Sequence, residues 1–203
     1  MKLTTIVALL GTVCTLAASA QDGLYAPRTA GDTVFVRVAN MSTGEYGDID
    51  VGPIRYRTPA PGSAGPYRPV APGIYMAGSP SESVLFTPDP GSFATIVITP
   101  DRSLVVISDE KHSDPARAQL VVYNFSGGTI DFESRDPAAM LVPGVAPGAS
   151  GTIVVNAVSL EPAATRDGEV LAHDRIRAER GASYSLFVSP DGGFIVEASV
   201  AAE

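Results

Sequence analysis

The sequence contains two histidines, His112 and His173, and they are its only side chains with an ordinary pKa near neutrality. Acyl-transfer or hydrolytic chemistry needs a nucleophile with such a base within hydrogen-bond reach. Asp109 stands three positions before His112, the Asp-x-x-His spacing that would orient an imidazole for that work. The companion pieces are missing. There is no Gly-Asp-Ser block near the start, no Gly-x-Ser-x-Gly, and no alternation of strands with helices to carry either. Metal binding meets similar obstacles. The single cysteine is Cys14, the histidines are far apart, and no Asp-x-Asp-x-Asp-Gly calcium loop occurs. Asp48 and Asp50 alternate, which on a strand makes a solvated acidic face. No glycine-rich phosphate loop is present. The sequence therefore predicts no catalytic residues, no metal and no cofactor.

The elements behind these residues read as strands. Apolar residues alternate or come in short runs, and 17 prolines and 20 glycines punctuate them. Turn signals roughly every 8–12 residues are the mark of an all-β sandwich or barrel. Segments recur in order. Val36–Ser42 matches Val121–Ser126, each closing on Asn-x-Ser; Val70–Gly73 repeats as Val145–Gly148; Phe93–Ser108 matches Ser183–Ser199 around a shared Pro-Asp turn. In the last pair Ile96, Val97 and Ile98 align with Leu186, Phe187 and Val188, and Leu104, Val105 and Val106 with Phe194, Ile195 and Val196. This predicts two sequence-related small β-sandwich or barrel-like domains in tandem: 21–108 and 117–203, joined by a charged linker over 109–116. At that size each half buries only about 60–65% of its unfolded surface, so the halves are expected to pack on one another or on a partner.

Alternation places Val34, Val36 and Val38 on one face of the first strand, with Ala118, Leu120 and Val122 on the equivalent face downstream. Arg37 falls on the opposite face. It is a candidate for a domain or partner contact, with a solvated arginine as the plain alternative. Asn40 and Asn124 look like strand-ending turn residues rather than glycosylation acceptors. The Pro- and Gly-rich stretch 57–69 reads as an extended or mobile connection whose Arg57, Tyr67 and Arg68 are candidates to face a partner, since aromatic plus Arg is the usual interface anchor, with an edge connection carrying solvated charges as the alternative. Tyr25, Tyr46, Tyr56, Tyr67 and Tyr75 cluster in the first half, where Tyr25, Tyr56 and Tyr67 are candidates for stacking on sugar rings in place of the absent Trp, with ordinary packing of strand tyrosines as the alternative.

Residues 1–20 have the charge, apolar run and Ala18-Ser19-Ala20 ending of a cleaved secretory signal. Losing Lys2 with it takes the formal charge from −8 to −9. Without clustered Lys and Arg, nucleic acid is excluded as a partner, and a polyanionic polysaccharide is repelled at long range.

Gly23-Leu24-Tyr25-Ala26-Pro27 followed by Phe35-Val36-Arg37-Val38-Ala39-Asn40 resembles the opening of the AlgF family of alginate O-acetylation proteins. The stretches 118–126, 154–162 and 179–188 resemble that family's second repeat, in order and spacing. The resemblance implies a periplasmic, non-enzymatic component needed for O-acetylation of alginate or a related exopolysaccharide. Its implied partners are SGNH-type acetyltransferase proteins and a membrane-bound O-acyltransferase. The alternative is a secreted carbohydrate-binding module or matrix protein with no part in acetylation. No family catalytic residue carries over.

Overall fold

The computed structural model describes residues 31–79 and 82–199; the expected signal segment and Tyr25 lie outside them. The described chain is all-β. The first half contributes β1 (Val34–Asn40), β2 (Ile49–Val51), β3 (Ile54–Tyr56), β4 (Ser63–Ala64), β5 (Arg68–Val70), β6 (Tyr75–Ser79), β7 (Glu82–Phe86), β8 (Phe93–Ile98) and β9 (Leu104–Asp109). The second contributes β10 (Ala118–Asn124), β11 (Ile130–Arg135), β12 (Ala138–Val145), β13 (Ser150–Val155), β14 (Ser159–Leu160), β15 (Pro162–Arg166), β16 (Glu169–His173), β17 (Ile176–Arg177), β18 (Ser183–Ser189) and β19 (Gly192–Ala198).

Each half is a two-sheet sandwich, and the strand orders correspond. In the first, β4-β1-β8-β9, with β5 also on β1, packs against β3-β2-β6-β7; in the second, β13-β10-β18-β19 packs against β12-β11-β15-β16. The central pairs β1/β8 and β10/β18 are parallel, with Val38 opposite Ile96 and Val122 opposite Leu186. The alternation explains the two cores. Val34, Val36 and Val38 meet Ile49, Val51 and Ala77 in one; Ala118, Leu120 and Val122 meet Ile130, Phe132 and Ala164 in the other.

The duplication is most legible at the two asparagines. Asn40 Oδ1 accepts from Ser42 N at 3.0 Å and Ser42 Oγ at 2.7 Å; Asn124 Oδ1 accepts from Ser126 N and Oγ at the same two distances. Each side-chain amide then grips a carbonyl on the returning chain, Asn40 at Pro59 and Asn124 at Val145 and Gly128. Both gripped segments read x-Ala-Pro-Gly. Gly62 N and Gly148 N donate back to the main-chain oxygens of Asn40 and Asn124, at φ 70° and 74°, which glycine adopts without a Cβ penalty. The partner of Val145-Ala146-Pro147-Gly148 is thus Pro59-Ala60-Pro61-Gly62 and not Val70–Gly73, which leads from β5 into β6 instead. The segment 57–69, expected to be extended or mobile, supplies β4 and β5 and is bonded to β1.

The hairpin alignment also needs a one-residue correction. β8 and β9 close on Ile98 opposite Leu104, enclosing five residues; β18 and β19 close on Ser189 opposite Gly192, enclosing two. Beyond the turn Val105 therefore corresponds to Phe194 and Ile107 to Val196. Because side chains alternate with period two, a slip of one exchanges faces. In the corrected register Val105, Ile107, Phe194 and Val196 all point away from their own cores and into a third apolar cluster with Ala39, Val97, Val121, Tyr123 and Phe187. That cluster is the seam between the sandwiches.

Candidate functional site

The seam is apolar at its centre. Phe187 is stacked between Tyr123, at 4.4 Å between centroids, and Phe194, at 5.0 Å. A main-chain hydrogen bond from Tyr67 N to Ser199 O, 2.8 Å, ties the halves at one edge. Into this contact the first half inserts a charge. Arg37, on the second face of β1, is 1% exposed.

Its guanidinium is held from both sides. Nε donates to Thr95 Oγ1 at 2.9 Å within the first half; Nη2 donates to Tyr123 Oη at 3.0 Å and Ser185 Oγ at 2.8 Å in the second. Thr95 and Ser185 are themselves equivalent positions, opposite Arg37 and Val121 in the two parallel strand pairs. Asp109 closes the ring. Its Oδ2 accepts from Thr95 Oγ1 at 2.6 Å and Tyr67 Oη at 2.8 Å, and its Oδ1 from Tyr123 Oη at 2.6 Å. Arg37 and Asp109 are therefore joined through shared hydroxyls rather than by a direct ion pair. Nη1 finds no acceptor among the described residues, while the guanidinium lies 4.5 Å over the Tyr67 ring, whose π face attracts the cation.

The electrostatics follow from burial and proximity. Desolvation works against the Arg37 charge, but the Tyr123 and Tyr67 hydroxyls and the Asp109 carboxylate outweigh it and hold the group above its ordinary range. Burial, reinforced by the Asp109 charge, pushes the Tyr123 phenol up to about 12 despite Arg37. Burial raises Tyr67 likewise. Both phenols therefore stay protonated and donate.

These contacts relocate several expected residues. Arg37, a candidate for a domain contact or a partner contact with a solvated arginine as the alternative, makes the domain contact, and Tyr67, expected to face a partner or a sugar, lies inside the same seam, because β1 is covered on both faces. Asp109, expected in a charged linker, is the last residue of β9 and an anchor of the seam. Asp109 and His112, offered by their spacing as an acid–base pair, have separate partners: the His112 ring nitrogen Nε2 lies 3.0 Å from Arg117 O. His173 Nδ1 lies 3.1 Å from Glu161, which also meets Arg135 at 3.1 Å and Arg175 at 3.3 Å. No group of three or more His, Cys, Asp or Glu gathers as a metal site among the described residues. Asn40 and Asn124 are fully buried and cannot serve as glycosylation acceptors in this fold.

Tyr56, Arg57 and Arg68 do come together, on the outer side of the first sandwich. Tyr56 and Tyr67 are 4% and 6% exposed, so neither offers a sugar-stacking face. Tyr56 instead walls a cleft of about 200 Å3 with Arg57 and Arg68. The Arg68 guanidinium is 5.0 Å from the Tyr56 ring centroid and donates to Arg55 O at 2.8 Å. Burial pushes the Tyr56 phenol up to about 12, with Arg68 pulling the other way. Sequence reading missed Thr95, Tyr123 and Ser185, and singled out Asp109 only for its spacing to His112. Only the matched Thr95/Ser185 pair left a signal, two small hydroxyls at equivalent places in the two strands.

Comparison with known proteins places this geometry in context. The family model described as "Alginate O-acetyl transferase AlgF" matches residues 7–185. The alginate biosynthesis protein AlgF of Pseudomonas aeruginosa is 28% identical over 184 residues, covering 89% of this chain and 84% of that one. A solved structure of the C-terminal domain of AlgF from P. aeruginosa covers 41% of this chain and 97% of its own length, at 21% identity and a TM-score of 0.35.

Proposed function

Since the chain belongs to the AlgF family of alginate O-acetylation proteins, we propose that it acts in that process as a periplasmic, non-catalytic adaptor. It joins SGNH-type acetyltransferase proteins to a membrane-bound O-acyltransferase that supplies acetyl groups. The observation that carries this reading is the seam. Two sandwiches are fixed to each other by a buried Arg37–Thr95–Asp109–Tyr123 ring as well as by apolar packing. Such a seam sets the distance and angle between two outward surfaces, which is what a spacer between partners requires and what an isolated binding module does not.

The partners of the ionisable groups support the same reading. Neither histidine is hydrogen-bonded to a Ser, Thr or Cys side chain among the described residues, and Asp109 is committed to three hydroxyls of the seam. Deleting the gene and measuring O-acetyl groups on the exported polymer tests the role. The proposal expects acetylation to be lost while polymer is still made, and tagged protein to co-purify acetyl-transfer components. Normal acetylation together with no co-purifying component would refute it.

A further inference from the structure

The first sandwich carries a groove with opposite charges at its two ends. The narrow end is the cleft walled by Tyr56, Arg57 and Arg68. A wider cleft of about 610 Å3 adjoins it, since Arg57 and Pro59 line both, and this one runs to Glu45 and Asp48. The walls between are proline-rich and are held in place by the Asn40 grip on Pro59.

Two guanidiniums line the narrow end beside Tyr56, with no carboxylate among the lining residues. Tyr56 is 4% exposed, and its buried hydroxyl has no hydrogen-bond partner among the described residues. That hydroxyl is closed off from solvent, so what the cleft offers an incoming group is its two guanidiniums. Arg57 is exposed and has no ion-pair or hydrogen-bond partner among the described residues. Arg68 spends one N–H on Arg55 O and keeps the remainder of its fork. Two guanidiniums lining one small cleft match a single carboxylate, which arginine takes with two parallel bonds.

The geometry points to a docking groove for an extended segment of a partner protein, which places one Asp or Glu carboxylate between Arg57 and Arg68 and a following basic side chain at Glu45 and Asp48. This assignment rests on the adaptor reading and gives it a surface. A polyuronate fits less well. It repeats a carboxylate on every sugar, so its next charge would meet Glu45 and Asp48 on a chain whose formal charge is already −8.

The test uses the full tagged chain and its Arg57→Glu and Asp48→Lys variants in affinity capture from envelope extract, scored by mass spectrometry for acetyl-transfer proteins. Both side chains are exposed, so thermal melting should be unchanged and a loss of capture is not a loss of fold. The expected result is capture by the wild-type chain and at least about a tenfold loss with either variant, the range of an interfacial arginine anchor. Capture by wild type and variants alike overturns the groove while leaving the adaptor reading standing. No capture by wild type overturns the adaptor reading, and the groove assignment with it. A parallel titration of the purified chain with a short uronate oligomer separates the other occupant. Saturable binding that Arg57→Glu abolishes and Asp48→Lys strengthens would assign the groove to polymer and overturn the protein segment.

Discussion

Replacing Arg37 by Met keeps the length and apolar stem of the side chain and removes only its charge and donors. Three hydrogen bonds go, to Thr95, Tyr123 and Ser185. Asp109 keeps its three hydroxyl donors but loses the cation they relay to. Removing one member of a buried charge pair costs about 3–5 kcal/mol. Asp109 is only part-buried and stays fully hydrogen-bonded, which places the expected loss near the lower bound, about 3 kcal/mol. For a chain of this length that is a fall in melting temperature of roughly 6–12 °C. The chain has no Trp, so urea unfolding is followed by far-UV circular dichroism and tyrosine fluorescence. The companion variant Asp109→Asn strands the arginine instead. If the relay is real, the two changes are not additive, and the double-mutant cycle returns a coupling of about 1–3 kcal/mol. A stability loss within about 0.5 kcal/mol for Arg37→Met, the level of an ordinary surface change, would refute the account of the seam, as would a cycle that closes to zero.

Asn124→Ala should destabilise by about 2–4 kcal/mol, since it leaves Ser126 N and Val145 O buried without partners. Asn40→Ala, which frees one fewer carbonyl, should cost less; equal and negligible shifts in urea midpoint would argue against the grip on the x-Ala-Pro-Gly turns. The Tyr123 contribution to stability should be constant below pH 10 and fall between about pH 10 and 12. Tyr123, held protonated up to about 12 in the fold, loses its proton near 10 once unfolded, so above that pH the folded state binds the extra proton and further alkali favours unfolding by up to about 1.4 kcal/mol per pH unit from this residue, with Tyr56 acting in the same direction. Urea midpoints across that window, paired with tyrosinate absorbance, check the sign; stability that rises there would contradict it.

How far the sequence discloses this structure depends on what each residue faces. Val34, Val36 and Val38 announce their core because alternation is the direct consequence of the pleat, and Asn40 and Asn124 announce their turns because an Asn-x-Ser at a strand end bonds its own backbone. The second face of β1 was not legible. Alternation tells which residues share a face, not whether a second layer covers the other, and Arg37 looks the same solvated or clamped between domains. Turn length was hidden as well. Pro-Asp marks both hairpins, yet one encloses five residues and the other two, and that difference moved Phe194 from an expected match with Leu104 to one with Val105. The x-Ala-Pro-Gly repeat escaped notice in the first half because its surroundings are so rich in Pro and Gly that they read as linker. The candidate groove was half visible: Tyr56, Arg57 and Arg68 stood out by residue type, while their closeness to Glu45 and Asp48 depends on the connection between β1 and β2 lying beside the segment that follows β3.

The adaptor claim is tested most directly by quantitative affinity capture of the tagged full chain from envelope extract, with acetyl transfer assayed on the captured material and on the purified chain alone. The account predicts that acetyltransferase components co-purify in fixed proportion and that all transfer activity resides with them. Purified chain that transfers acetyl by itself, and loses that activity on His112→Ala or His173→Ala while remaining folded, would contradict it.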